Sequence, residues 1–143
     1  MKKNERIIHI LFVDDDTSML GTTKLLLERF GYIVTSAQSG NEAVILIEKY
    51  HDVFDAVITD YDMPGMNGIE FALIASKILV DTPIIMYTGR IDLIDKQQIA
   101  KAGIAEVVSK PCKIRDLDNI IKRILRVKET VSLSLDNHLT TSI

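Results

Sequence analysis

Two stretches of the chain concentrate carboxylates beside groups that can handle a phosphoryl unit. Asp14, Asp15 and Asp16 follow an apolar run at residues 7–13, and Asp60 follows another at 54–59, leading into Tyr61-Asp62-Met63-Pro64-Gly65. Thr88-Gly89 follows a run at 83–87, and Lys110-Pro111 stands just after one at 104–108. Carboxylates crowded together repel one another and hold raised pKa values unless a cation joins them. Donors that are all oxygen suit a hard divalent ion, Mg2+ or Mn2+, which keeps waters and exchanges them for phosphate oxygens. The Lys110 ammonium and the Thr88 hydroxyl would add what a transferring phosphoryl group needs around its equatorial oxygens. An Asp carboxylate can itself attack phosphorus and form an acyl phosphate.

This chemistry requires that distant segments meet, and the hydrophobic pattern says how. Each apolar run, including a further one at 32–36, is short and apolar on successive residues, as strands covered on both faces are. Between them apolar residues recur at three and four. Met19, Leu20, Leu26, Leu27 and Phe30 mark a first helix; Ala43, Val44, Ile47 and Tyr50 a second; Ile69, Ala72, Leu73 and Leu79 a third. A weaker fourth spans roughly 92–102 with Leu93, Ile94 and Ile99, and a fifth carries Ile114, Leu117, Ile121 and Ile124. Gly31, Gly40 and Gly103 fall at junctions, and Asn67 with Glu70 reads as a capping box opening the third helix. Strict alternation of strand and helix implies parallel strands and right-handed crossovers, hence an open α/β sandwich. Such sheets bind ligands at the carboxyl ends of their strands, where every chemical group named above stands.

Composition limits the alternatives. With 143 residues the chain suits one domain, expected over 1–127, followed by a polar tail or linker at 128–143. A net charge of −3 argues against direct nucleic-acid binding and against polybasic attachment to membranes. The apolar run at 7–13 is too short for a signal peptide or a membrane span. A single cysteine, Cys112, permits no disulfide within the chain and fits a reducing cytoplasm.

VDDD at the first strand, ITDYDMPGMNG at the third, IMYTG at the fourth and VSKP at the fifth resemble the receiver domain of bacterial two-component response regulators. The resemblance runs from about residue 7 to 127, with every motif in order. It implies a flavodoxin-like five-stranded parallel sheet of order 2-1-3-4-5, helices on both faces, the first and fifth sharing one. It makes Asp60 the phosphoacceptor, taking its phosphoryl group from a sensor histidine kinase or a histidine phosphotransfer protein. Asp15, Asp60 and the Met63 carbonyl would hold the metal, with Asp14 acting mainly through a metal-bound water. Thr88 would donate to the phosphoryl group and move toward it. Lys110 would pair with the carboxylate at rest and with the phosphoryl group afterwards, and Pro111 would follow a cis bond. The expected product is a signalling switch that catalyses its own phosphorylation and dephosphorylation, not a classical enzyme. Output would pass to a downstream protein target through the fourth helix, fifth strand and fifth helix, as a monomer or weak dimer.

Some residues depart from the family pattern or carry less. Val107 stands where many receivers have an aromatic that rotates inward with the threonine; Tyr87 is a substitute switch or simply a packed strand residue. Asp62 and Arg90 flank the expected phosphoryl position; they would either pair and slow the hydrolytic water or face solvent. His9, His51 and His138 lack metal-ligand spacing. Cys112 has no partnering His, Asp16 reads as a helix cap, and Gly21 marks either a close approach or nothing. Ile120 and Val127 on the fifth helix belong either to the output face or to the core. Two rival functions remain: a haloacid-dehalogenase-type phosphatase, and a module that binds a partner without taking phosphate. The first wants Thr or Val where Ser18 stands. The second sits poorly with the full set of phosphorylation residues.

Overall fold

A computed structural model describes residues 6–126; the expected tail at 128–143, with His138, and Val127 lie outside that range. The strands are β1 (His9–Val13), β2 (Ile33–Ala37), β3 (Ala56–Thr59), β4 (Ile84–Thr88) and β5 (Ile104–Ser109), all parallel, in the order β2-β1-β3-β4-β5. The helices are α1 (Thr17–Arg29), α2 (Gly40–Lys49), α3 (Gly68–Ile78) and α4 (Lys96–Lys101), with α5 at 114–126. β3 and β4 are buried at every residue, as their unbroken apolar sequence requires for strands covered on both sides. Edge strands β2 and β5 mix buried residues with half-buried and exposed ones.

Strand residues alternate between two cores. Leu11, Val13, Val57, Ile84 and Met86 face α2 and α3, while Ile10, Phe12, Ile58, Ile85 and Tyr87 face α1 and α5. Ile120 packs against the second of these cores, which places it with the interior. A buried polar tie joins α5 to the turn after α1. The Tyr32 hydroxyl donates to Asp118 Oδ1 at 2.5 Å, and Lys122 reaches Asp118 Oδ2 at 3.4 Å. Burial and the adjacent carboxylate raise the Tyr32 phenol far above its ordinary range.

Helix starts follow their caps. Asp16 accepts from the Ser18 and Met19 amides, Ser39 from Glu42, and Asn67 and Glu70 exchange bonds as a full capping box. These bonds satisfy amides that have no partner within the helix. Gly31 and Gly103 have φ of 96° and 73°, a region other residues rarely adopt, so helix exit occurs there by necessity. The fourth helix is shorter than its periodicity suggests. Ile91–Leu93 forms a single 3-10 turn, and Asp95 then caps a helix of 6 residues, none of them buried. Over 92–102 only Ala102 is fully buried in the core, with Ile94 and Ile99 partly buried against it, too little to hold a longer helix there.

The remaining histidines take local roles. His9 bonds Thr35 Oγ1 at 2.8 Å within the sheet, and exposed His51 pairs with Asp52. Among the described residues, no helix is long and apolar enough to cross a membrane.

Candidate functional site

The chain passes from β1 to β2 on one side and places β3 on the other, so a crevice opens above the carboxyl ends of β1 and β3. Asp14, the residue after β1, is 1% exposed, and Asp15 beside it is exposed. Asp60 follows β3, its amide donating to the Val13 carbonyl at 2.9 Å, which stitches the two acidic strand ends together. Oxygens of Asp14, Asp15 and Asp60 all lie within 4.8 Å of one another. Asp16 is not part of this set, because its carboxylate is used as the α1 cap.

Lys110 enters from the end of β5. Its Nζ donates to Asp14 Oδ2 at 2.7 Å and to Asp60 Oδ2 at 3.3 Å. The Asp14 Oδ1 accepts the Asp16 amide at 3.0 Å, and Asp60 Oδ1 accepts the Tyr61 amide at 2.7 Å. Burial pushes the Asp14 carboxyl above the ordinary carboxylate range, with Lys110 pulling it back only in part. Burial also opposes the Lys110 charge, but the Asp14 hydrogen bond and both carboxylates outweigh it and hold the ammonium above its usual value. One ammonium thus faces three carboxylates. An all-oxygen donor set with spare negative charge fits a hard divalent cation.

Thr88 ends β4, fully buried, and its Oγ1 accepts the Arg90 amide at 3.1 Å. That bond uses a lone pair and leaves the hydroxyl proton available to donate. Met63 is buried in the loop after Asp60. Val107 packs against the α2–α3 core, whereas Tyr87, 5% exposed, faces the α1–α5 core across the sheet. Arg90 pairs not across the site with Asp62 but along its own loop, Nε to Asp92 Oδ1 at 3.5 Å. Both charges are largely exposed, so the pair is worth about 0–1 kcal/mol.

Two residues at or beside this site were not singled out from sequence. Gly68, inside the quoted third motif, lies so close to Asp60 that a Cβ would sit 2.1 Å from the Asp60 carbonyl oxygen and 2.9 Å from Tyr61 Cα. Its own amide donates to Tyr61 O at 2.8 Å. Asp92 is the other: a local ion pair two residues apart on a loop has no periodic signal.

Comparison with known proteins agrees with this geometry. The response regulator receiver domain profile matches residues 10–122. A two-component response regulator of Arabidopsis thaliana is 32% identical over 119 residues, 83% of this chain and 21% of that protein. A probable transcriptional regulator of Cyanidium caldarium is 33% identical over 134 residues, 94% of this chain and 53% of that protein. The chain therefore spans between about a fifth and about half of these relatives' length. A response regulator receiver domain protein of Clostridium thermocellum superposes with a TM-score of 0.81 at 30% identity, covering 87% of this chain and 99% of the other. The response regulator TrrA of Thermotoga maritima, solved in complex with Mg2+ and BeF, superposes at 0.72 with 29% identity over 82% of this chain and 98% of that one. With its fold, its acidic crevice and the matched profile in agreement, the chain belongs to the response regulator receiver domain family of two-component systems.

Proposed function

We propose that the chain is a phosphorylation-dependent switch in which Asp60 takes a phosphoryl group from a phosphohistidine on a sensor histidine kinase or histidine phosphotransfer protein. The observation that carries this reading is the Lys110 ammonium bridging Asp14 at 2.7 Å and Asp60 at 3.3 Å beside a third carboxylate. An Asp60 oxygen attacks phosphorus as the bond to the imidazole nitrogen breaks, and the imidazole keeps that electron pair. Lys110 then exchanges its longer carboxylate contact for an oxygen of the arriving group, and the Thr88 hydroxyl proton turns to another. Asp15, Asp60 and the Met63 carbonyl would hold Mg2+, or Mn2+ in its place, with Asp14 acting through a metal-bound water; the chemistry such an ion would supply is neutralisation of charge on the phosphoryl oxygens. Water attack on phosphorus later releases phosphate and returns the Asp60 carboxylate; both reactions are the chain's own.

Moving Thr88 toward the phosphoryl group would lengthen its bond to the Arg90 amide, which anchors the loop leading into the 3-10 turn and α4. The change therefore reaches the surface of α4, β5 and α5, where a downstream protein docks or a weak dimer forms. The setting is the cytoplasm, with the single Cys112 as a free thiol.

The test is incubation of the full chain with acetyl phosphate and Mg2+, read by intact mass and repeated with Asp60→Asn. One phosphoryl group on the wild type and none on the variant is expected. No gain on the wild type would refute the proposal and leave a module that binds a partner without taking phosphate.

A further inference from the structure

Tyr87 does something that packing alone does not require. Its place on β4, in register with Val108 on β5, turns the side chain to the α1–α5 face. An aliphatic residue would fill that face, as Ile85 does two residues earlier. The tyrosine instead makes two polar contacts, both to the segment that carries Lys110. The Lys110 Nζ lies 5.5 Å from the centroid of its ring. Its hydroxyl oxygen accepts the Cys112 amide at 3.1 Å. One side chain thus touches both ends of the three residues at 110–112.

We propose that Tyr87 is a positioning residue for phosphoryl transfer, its ring carrying the Lys110 ammonium and its hydroxyl fixing the turn from which Lys110 projects. The idea rests on the phosphoacceptor reading of Asp60 given above. Carboxylate contacts to an ammonium are short and directed, and the two here compete for it. The negative face of an aromatic ring attracts the same charge without fixing a direction. An ammonium resting there can slide from Asp14 and Asp60 to a phosphoryl oxygen without losing its third support. The hydroxyl contact goes to the backbone of residue 112, so the cysteine side chain is incidental. Burial holds that thiol above its ordinary pKa, and its sulfur lies 3.4 Å from the Lys113 carbonyl instead. With a buried ring and an occupied hydroxyl, Tyr87 is built to stay in place while Thr88, on the other side of the sheet, turns.

Full-length wild type, Tyr87→Phe and Tyr87→Leu separate the two contacts. In the absence of any phosphodonor, the Lys110 Hε protons of the wild type and of Tyr87→Phe should show an upfield ring-current shift that Tyr87→Leu loses. Cys112 amide exchange should accelerate in both variants. With acetyl phosphate and Mg2+, Tyr87→Leu should slow phosphorylation roughly 3- to 30-fold, the range spanned by a partly desolvated cation–ring contact. Tyr87→Phe, lacking one hydrogen bond, should slow it about fivefold or less. A Lys110 signal and a rate unchanged in Tyr87→Leu would overturn the role of Tyr87 alone. If Tyr87→Leu does not fold, unchanged Cys112 exchange in Tyr87→Phe overturns it equally. A wild type that takes no phosphate on Asp60 would overturn the phosphoacceptor reading, whatever the Lys110 spectrum shows.

Discussion

Gly68→Ala adds one methyl group, and its effect can be worked from where that carbon must go. The new Cβ would lie 2.1 Å from the Asp60 carbonyl oxygen, 2.9 Å from Tyr61 Cα and 2.9 Å from Met86 Cε. Met86 can turn its methyl aside. The other two atoms are backbone of the acceptor loop, held by the Thr59 hydroxyl on Asp60 O and by the Gly68 amide on Tyr61 O. Relief therefore moves the Asp60 backbone by about 1 Å, since an ordinary carbon–oxygen contact needs more than 3 Å. Overpacking that forces backbone shifts costs about 3 kcal/mol, which in a domain of this size lowers Tm by roughly 10 °C. A reacting group displaced by 1 Å loses about 100-fold in rate. Two controls carry the same substitution elsewhere. At Gly40 the Cβ would meet only the flexible Met66 side chain, at 2.7 Å to its sulfur, so a loss of about 1 kcal/mol or less is expected. At Gly21, mid-helix in α1 with nothing within 4 Å, alanine should stabilise by about 1 kcal/mol. Thermal melts and acetyl phosphate labelling of the three variants check the order Gly21→Ala, Gly40→Ala, Gly68→Ala. A Gly68→Ala protein that melts with the wild type and takes phosphate at its rate would refute the reasoning.

Other expectations follow from single contacts. Mg2+ at ten times its Kd should stabilise the chain by about 1.4 kcal/mol, a rise of a few degrees in Tm, and Asp15→Asn should remove most of that rise without unfolding the protein. Arg90→Ala should change the half-life of the Asp60 acyl phosphate by at most several-fold, because its exposed pair with Asp92 is weak; an unchanged half-life means the guanidinium does not meet the hydrolytic water. Tyr32→Phe should cost about 1.5–3 kcal/mol by removing the hydroxyl that donates to buried Asp118, measured by denaturant unfolding. The raised Tyr32 phenol adds a pH signature: its contribution is full below the ordinary phenol value of about 10 and is lost as pH rises above it. Wild type should therefore lose stability in that alkaline window and Tyr32→Phe should lose less.

Much of this site was legible because a parallel sheet turns sequence order into position. Runs apolar on both faces mark β1, β3 and β4, and the polar residue that ends each run must stand at the carboxyl edge. Asp14, Asp60 and Thr88 stand out by that rule, and Lys110 stands two residues after the fifth run; the structure brings Asp14, Asp60 and Lys110 into direct contact. The rule cannot see what depends on side-chain direction or on close approach. Asp92 takes Arg90 because the 3-10 turn shortens α4, a local outcome of weak periodicity. Gly68 is required for lack of space, which an alternation pattern does not encode. Tyr87 shares β4 with Thr88, but the pleat's period of two directs neighbouring side chains to opposite faces of the sheet, and Tyr87 lies on the α1–α5 side, a direction that the sequence pattern alone does not give.

The arrangement of charge explains why these positions cooperate. Three carboxylates near one ammonium leave negative charge in excess, and Asp14, at 1% exposure, has almost no water to disperse it. Burial accordingly disfavours its ionised form, despite a bond to Lys110 of 2.7 Å. Evolution toward stability alone would neutralise such a residue or replace it with an apolar one. On the reading proposed above, the resting site is the incomplete state, which a cation and a phosphoryl group together would complete. On that reading a cation would supply the charge the carboxylates lack, and phosphoryl oxygens would give Lys110 and Thr88 a second place to go. Lys110 would then move because its ring support at Tyr87 is indifferent to direction, and Thr88 because its hydroxyl, among the described residues, holds one backbone amide. The same excess of charge that costs stability at rest suits the site to a hard divalent cation.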